Sequence, residues 1–180
     1  KARQALRGTA EAEGFEPQLL RAVESVNEHQ KGRLFSKIQR HYPDGLRGKV
    51  FALWGLSFKP NTNDIREASS RILLEALWAA GARVQAHDPQ AMGEILRHYG
   101  PRTDLQLVPC KDDALEGADA LVIVTEWQDY RVLNLDKVPD LLADRVVFDG
   151  RNLFEPEHMA AAGLTYYGIG RGQVQPACPY

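Results

Sequence analysis

Residues 55–66 read Gly-Leu-Ser-Phe-Lys-Pro-Asn-Thr-Asn-Asp-Ile-Arg, so an aromatic ring, an ammonium, a guanidinium and several hydroxyl and amide groups fall within one short segment. Lys59 supplies a point charge and Arg66 a planar fork of donors, the types that a phosphate or diphosphate recruits. A helix opening just beyond, capped by Ser69 or Ser70, would add its N-terminal amides to the same anion. Arg151, following Asp149-Gly150, offers a second forked donor. A plainer reading stays open, in which Lys59 and Arg66 pair with Asp64 or Glu67 on a solvated loop.

The other chemical candidates each have an equally plain structural reading. Asp88, before Pro89, stands where a ribose-binding carboxylate stands in dinucleotide folds, yet Asp-Pro also simply ends strands. Trp127 suits base stacking or core packing. Glu126 has no evident partner as a general base. Cys110 and Cys178 have no adjacent base and no Cys-x-x-Cys spacing, which excludes a thiol nucleophile or zinc framework read from spacing. The five histidines are scattered. No Gly-x-Gly-x-x-Gly joins a strand to a helix, and Gly168-Ile169-Gly170-Arg171-Gly172 comes too late to serve as one.

These residues need a scaffold, and the hydrophobic pattern supplies two textures. Residues 1–45 read as helical. A long helix opens near Pro17, with Leu19, Val23, Val26, Gln30, Leu34 and Ile38 as a one-sided stripe, and Tyr42-Pro43-Asp44-Gly45 ends it. From 46 to 180, strands alternate with helices. Strands are expected at 49–54, 83–87, 105–108, 120–124 and 146–149, with an edge strand at 165–167. Helices are expected at 69–80 and 91–99, a helical turn at 112–116, and a loose tail from 168 onward. Apolar strands separated by helices imply an α/β fold with a doubly wound parallel sheet, Rossmann-like, preceded by a helical segment. In such sheets ligands bind beyond the carboxyl ends of the strands, where the segments above converge.

Composition sets the bounds. With 180 residues, 44% hydrophobic and 26% charged, the chain can bury a core without disulfides. A net charge of −2 without a long basic run argues against nucleic acid. The longest apolar run, 50–56, is far short of the ~20 residues that span a bilayer. A cytoplasmic protein without a membrane partner is expected. The first residue is Lys1, so the chain is read as beginning inside a longer protein.

Taken together, Gly55-Leu56-Ser57-Phe58-Lys59-Pro60 and Asn63-Asp64-Ile65-Arg66-Glu67 resemble the opening of the C-terminal domain of the UDP-glucose/GDP-mannose dehydrogenase family. The likeness continues through Ala86-His87-Asp88-Pro89, Ala118-Asp119-Ala120, Val124-Thr125-Glu126-Trp127, Phe148-Asp149-Gly150-Arg151 and Tyr166-Tyr167-Gly168-Ile169-Gly170. Upstream, Val23-Glu24-Ser25-Val26-Asn27 and Gln30-Lys31 resemble the family's central dimerisation helices. The resemblance implies a UDP-sugar-binding domain that belongs to an NAD-dependent oxidoreductase and works as a homodimer. Phe58, Lys59 and Arg151 are then substrate-binding, and Arg66 reaches the NAD. Lys1, with Ala5-Leu6 beyond it, resembles the end of the family's Cys-x-Pro-Lys-Asp segment, although Ala2 stands where the family has Asp. The catalytic cysteine and the NAD domain are therefore expected upstream of residue 1, with no catalytic residue and no metal in this chain. Lys59-Pro60-Asn61-Thr62 favours UDP-glucose over GDP-mannose as substrate. UDP-N-acetylmannosamine, GDP-mannose, or a free-standing nucleotide-binding module are the alternatives.

Overall fold

The computed structural model describes residues 9, 12–14 and 16–176. The expectations placed on Lys1, Ala2, Ala5, Leu6 and Cys178 lie outside the described residues. Helix α1 (Gln18–His41) leads into β1 (Val50–Trp54), α2 (Ser69–Ala79), β2 (Arg83–His87), α3 (Met92–Tyr99), β3 (Leu105–Leu107) and β4 (Ala120–Ile123). A 3₁₀ turn (Gln128–Arg131), α4 (Val138–Leu141), β5 (Val146–Asp149), α5 (Pro156–Ala161), β6 (Thr165–Gly168) and β7 (Gln173–Val174) complete the chain. The seven strands form one sheet in the order β3-β2-β1-β4-β5-β6-β7. Every pairing is parallel except β6 with β7.

Alternation along the central strands divides the core into two layers. Phe51 and Leu53 of β1, Val122 of β4 and Phe148 of β5 pack with Leu73, Leu74 and Leu77 of α2 and Ile95 of α3. Their neighbours Ala52, Trp54, Leu121, Ile123 and Val147 face the opposite layer, with Leu115, Tyr130, Val138 and Met159. Both faces of the strands are thus covered, which is why they read as continuous apolar runs rather than as alternating ones.

Two local expectations are corrected. Thr165 starts an inner strand rather than an edge, because the tail turns at Gly168–Gly170 and returns as β7, with Tyr166 opposite Val174. Residues 112–116 form the expected turn, with the Leu115 amide donating to the Asp112 carbonyl at 3.0 Å. At α2 the N-cap is Ala68, with no side-chain cap, because the Ser70 hydroxyl donates instead to the Leu56 carbonyl in the preceding loop.

Helix α1 splits its stripe between two environments. Leu34 and Ile38 are buried in the core, and the helix packs on α2 and β5. Leu19 and Val26 remain exposed. At its foot, Lys49 bridges Asp119 and Asp144, each at 2.8 Å. The Tyr42 hydroxyl donates to Asp144 at 2.8 Å, and His41 Nδ1 meets the Tyr167 hydroxyl at 2.9 Å. Burial pushes the His41 imidazole below its ordinary value.

Candidate functional site

The strand order reverses direction between β1 and β4, so the loops leaving these two strands diverge and leave a crevice. Their crossing is tight. Gly55 has φ +98°, and a Cβ there would lie 2.5 Å from Thr125 Cβ and 2.6 Å from its backbone nitrogen. The Thr125 hydroxyl donates to the Ser57 carbonyl at 2.7 Å, binding the two loops together.

Beneath this crossing Asp88 is fully buried. Its Oδ2 accepts the amides of Leu56 (2.7 Å) and Ser57 (3.0 Å), the Ser57 hydroxyl (3.1 Å) and the Trp127 indole N–H (3.0 Å). Its Oδ1 accepts the amides of Gln90 (2.9 Å) and Ala91 (2.8 Å). The ribose-binding reading of Asp88 is corrected accordingly, since its oxygens are saturated from within. Trp127 is likewise buried against this carboxylate and offers no open face for stacking. The same bonds consume the first-turn amides that would cradle a dinucleotide pyrophosphate.

An open cleft of about 790 Å³ lies between α1 and the carboxyl ends of the strands, lined among others by Phe58, Ser69, Val124 and Arg151. Phe58 is 42% exposed, an apolar surface fit to meet a flat ligand group. Lys59 projects alongside, its Nζ 5.5 Å from the Phe58 ring centroid. Ser69 is the first residue of α2, whose uncapped N-terminus therefore opens on the cleft. The structure brings Phe58 and Arg151 to this wall, whereas Lys59 and Arg66 are not among the lining residues. Arg66 is held in a fork by Asp64, at 2.9 and 2.7 Å, with its side chain 65% exposed, as the plainer reading of the loop expected.

Arg151 is placed by several constraints. Asp149 Oδ1 accepts its amide at 2.8 Å, and its Nε donates to the Val124 carbonyl at 2.6 Å. Glu126 Oε2 lies 3.0 Å from the same Nε. Gly150 before it has no room for a side chain: a Cβ would sit 2.8 Å from the Ile123 carbonyl oxygen and 3.1 Å from Leu34.

The α1 wall of the cleft escapes the sequence reading, which places Asn27, Gln30 and Lys31 in segments resembling dimerisation helices and gives Glu28 no role. Asn27, Glu28, Gln30 and Lys31 line it, and Lys31 pairs with Glu28 at 2.8 Å and with Glu67 at 3.1 Å. Burial alone would lower the Lys31 ammonium, but these two carboxylates outweigh it and hold the group above its ordinary value. The periodicity of α1 marked only its apolar stripe, and nothing in the pattern indicated that the polar flank faces the strand ends.

Among the described residues, no cluster of His, Cys, Asp and Glu could hold a metal ion, and no helix is long and apolar enough to cross a membrane. In sequence the chain is 44% identical over 170 residues to a UDP-glucose 6-dehydrogenase of Pseudomonas aeruginosa, covering 93% of this chain and 38% of that protein. It is 38% identical over 160 residues to a UDP-glucose 6-dehydrogenase of Bacillus subtilis, covering 89% and 36%. In structure it superposes on a UDP-glucose dehydrogenase of Pyrobaculum islandicum with a TM-score of 0.76 at 29% identity, over 94% of this chain and 36% of that one. The chain thus spans less than two-fifths of the length of these relatives. Residues 52–156 match the profile of the UDP-glucose/GDP-mannose dehydrogenase family's UDP binding domain. Because that match takes in more than half of the chain, from β1 to the first residue of α5, the chain belongs to this family and contains its UDP binding domain.

Proposed function

We propose that this chain binds the UDP moiety of UDP-glucose and orients the sugar for oxidation at C6 within an NAD-dependent UDP-glucose 6-dehydrogenase. The observation that carries this reading is the guanidinium of Arg151. Arg151 lines the cleft, and its terminal nitrogens make no hydrogen bond among the described residues. The uncapped start of α2 opens on the same cleft. A diphosphate would take the two-pronged donor and the helix amides together, with Phe58 against a flat or apolar part of the ligand and Lys59 adding charge from the rim. UDP-glucose is preferred over UDP-N-acetylmannosamine or GDP-mannose because the 44% identical relative is a UDP-glucose 6-dehydrogenase.

The remaining parts of the reading follow from the family. NAD would accept two hydrides as the alcohol becomes a carboxylate. The first βα turn of this chain does not fit NAD, because its amides are consumed by Asp88, so the cofactor and the nucleophilic cysteine are assigned to an N-terminal domain. Arg66 is the residue proposed to reach NAD, at the expense of its fork to Asp64. Residues 1–45 are proposed as part of a central dimerisation region and 46–180 as the UDP-sugar unit of a cytoplasmic homodimer. This chain contributes affinity and orientation.

Titration calorimetry tests the proposal. UDP and UDP-glucose are expected to bind and GDP to bind at least tenfold more weakly, while UDP-glucose with NAD yields no NADH from this chain alone. Equal affinity for GDP and UDP, or no binding of UDP, would overturn it.

A further inference from the structure

We propose that Glu126 is a positioning residue for Arg151. Together with the Val124 carbonyl it locks the Nε edge of the guanidinium, so that the two terminal nitrogens are presented to the cleft as one planar donor. The inference rests on the UDP-binding reading above and deepens it.

Glu126 Oε2 has no solvent access and no hydrogen-bond partner in the described structure, yet it sits 3.0 Å from Arg151 Nε. A carboxylate oxygen withdrawn from water without a hydrogen bond is costly. The charge of Arg151 is the compensation that the structure offers. The Nε proton is already donated to Val124 at 2.6 Å, so the carboxylate adds attraction at an edge that is already anchored. Both anchors come from one segment, residues 124 and 126 at the end of β4, while Arg151 follows β5. The neighbouring strand end thus fixes the side chain, and the Asp149 carboxylate fixes its amide at 2.8 Å.

An arginine fastened at Nε keeps its outer two nitrogens parallel and forward, the geometry that two phosphate oxygens accept. Fixing that plane before the ligand arrives removes the ordering cost of a long side chain at binding. The carboxylate also opposes the anion electrostatically. Its net effect on binding is therefore favourable only if orientation outweighs charge, and the two contributions separate by mutation.

UDP affinity is measured by calorimetry for the chain as described and for Glu126→Ala, Glu126→Gln, Arg151→Ala and Glu126→Ala/Arg151→Ala, with melting curves for each and the ¹⁵Nε–¹Hε resonance of Arg151 followed where that residue is kept. Glu126→Ala is expected to weaken UDP by about tenfold, the scale of coupled neighbours, and to speed exchange of the Arg151 Nε proton. Glu126→Gln recovers part of both losses, since its amide oxygen keeps a partial negative charge beside that edge. In the Arg151→Ala background, Glu126→Ala changes affinity by less than twofold. Tighter UDP binding in both Glu126 variants would show a competing counter-charge and overturn the proposal. So would a loss that persists without Arg151, or a lowered melting point with affinity and Nε exchange unchanged. In all three of those outcomes the UDP-binding reading stands if Arg151→Ala alone weakens binding. Absence of UDP binding in the unmodified chain defeats both.

Discussion

The Asp88 carboxylate accepts the Trp127 indole N–H at 3.0 Å, and this bond ties the loop after β2 to the loop after β4 across β1, which lies between them. With five further donors on the same carboxylate, Asp88 organises the floor under the cleft.

Asp88→Asn should be severe although it is nearly isosteric. Both oxygens are surrounded by donors, so the amide NH₂ must face N–H groups whichever way it turns. The expected loss is about 2 to 4 kcal/mol, the cost of buried donors left without an acceptor, read as a shift of the urea midpoint. A loss below about 1 kcal/mol would mean that the loops reorganise freely.

Gly55→Ala should be worse than Gly45→Ala, although both glycines have positive φ, +98° and +101°. At Gly45 nothing lies within 4 Å of the added carbon, whereas at Gly55 the Thr125 side chain and backbone stand at 2.5–2.6 Å. Backbone strain alone is worth about 1 to 2 kcal/mol, and overpacking against an unyielding backbone brings the Gly55 change to roughly 3 kcal/mol or more. Thermal melts of the two variants side by side give the comparison.

Parallel strands announced themselves because burial on both faces forces apolar runs such as 50–54 and 120–123, and the order of the spaced motifs placed Arg151 at a strand end. What was hidden depends on contacts distant in sequence. Ser70 looked like a cap until Leu56, fourteen residues away, took its hydroxyl. Asp88 reads as a ligand contact in sequence, whereas its six donors come from three segments of chain, 56–57, 90–91 and 127. β7 was invisible because two residues, Gln173–Val174, carry no periodicity.

Stability should fall as pH drops below 6.5. Burial lowers the imidazoles of His41 and His87 from that ordinary value, so the unfolded chain takes up protons first. The neutral-histidine contribution is fully present above pH 6.5 and is lost as pH falls toward the folded values, with a slope of at most about 1.4 kcal/mol per pH unit for each residue. His41→Gln should flatten the profile below about pH 6.5, whatever its effect at neutral pH. An unchanged slope would assign the acid sensitivity elsewhere.

Arg151→Ala should weaken UDP binding by about 1.5 to 3 kcal/mol, the scale of a charged hydrogen bond. Lys59→Ala should weaken it less, because Lys59 stands at the rim beside Phe58 rather than in the cleft wall. Calorimetry ranks them, and a larger loss at Lys59 would move the diphosphate toward the loop.

The proposed dimer depends on the half of α1 that the domain leaves uncovered. Leu34 is only 7% exposed and packs into the core, so a charge there would unfold the domain rather than report on association. Leu19 and Val26, 78% and 57% exposed on the other half of α1, are the residues with apolar surface left to cover. Each aliphatic removed from water contributes roughly 1.5 to 3 kcal/mol, enough for two such helices to hold one another when joined by their neighbours. Sedimentation of the unaltered chain should show a dimer at tens of micromolar, and Leu19→Glu/Val26→Glu should give a monomer with an unchanged melting transition. A monomer from the unaltered chain under those conditions would leave the exposed half of α1 without the partner proposed for it.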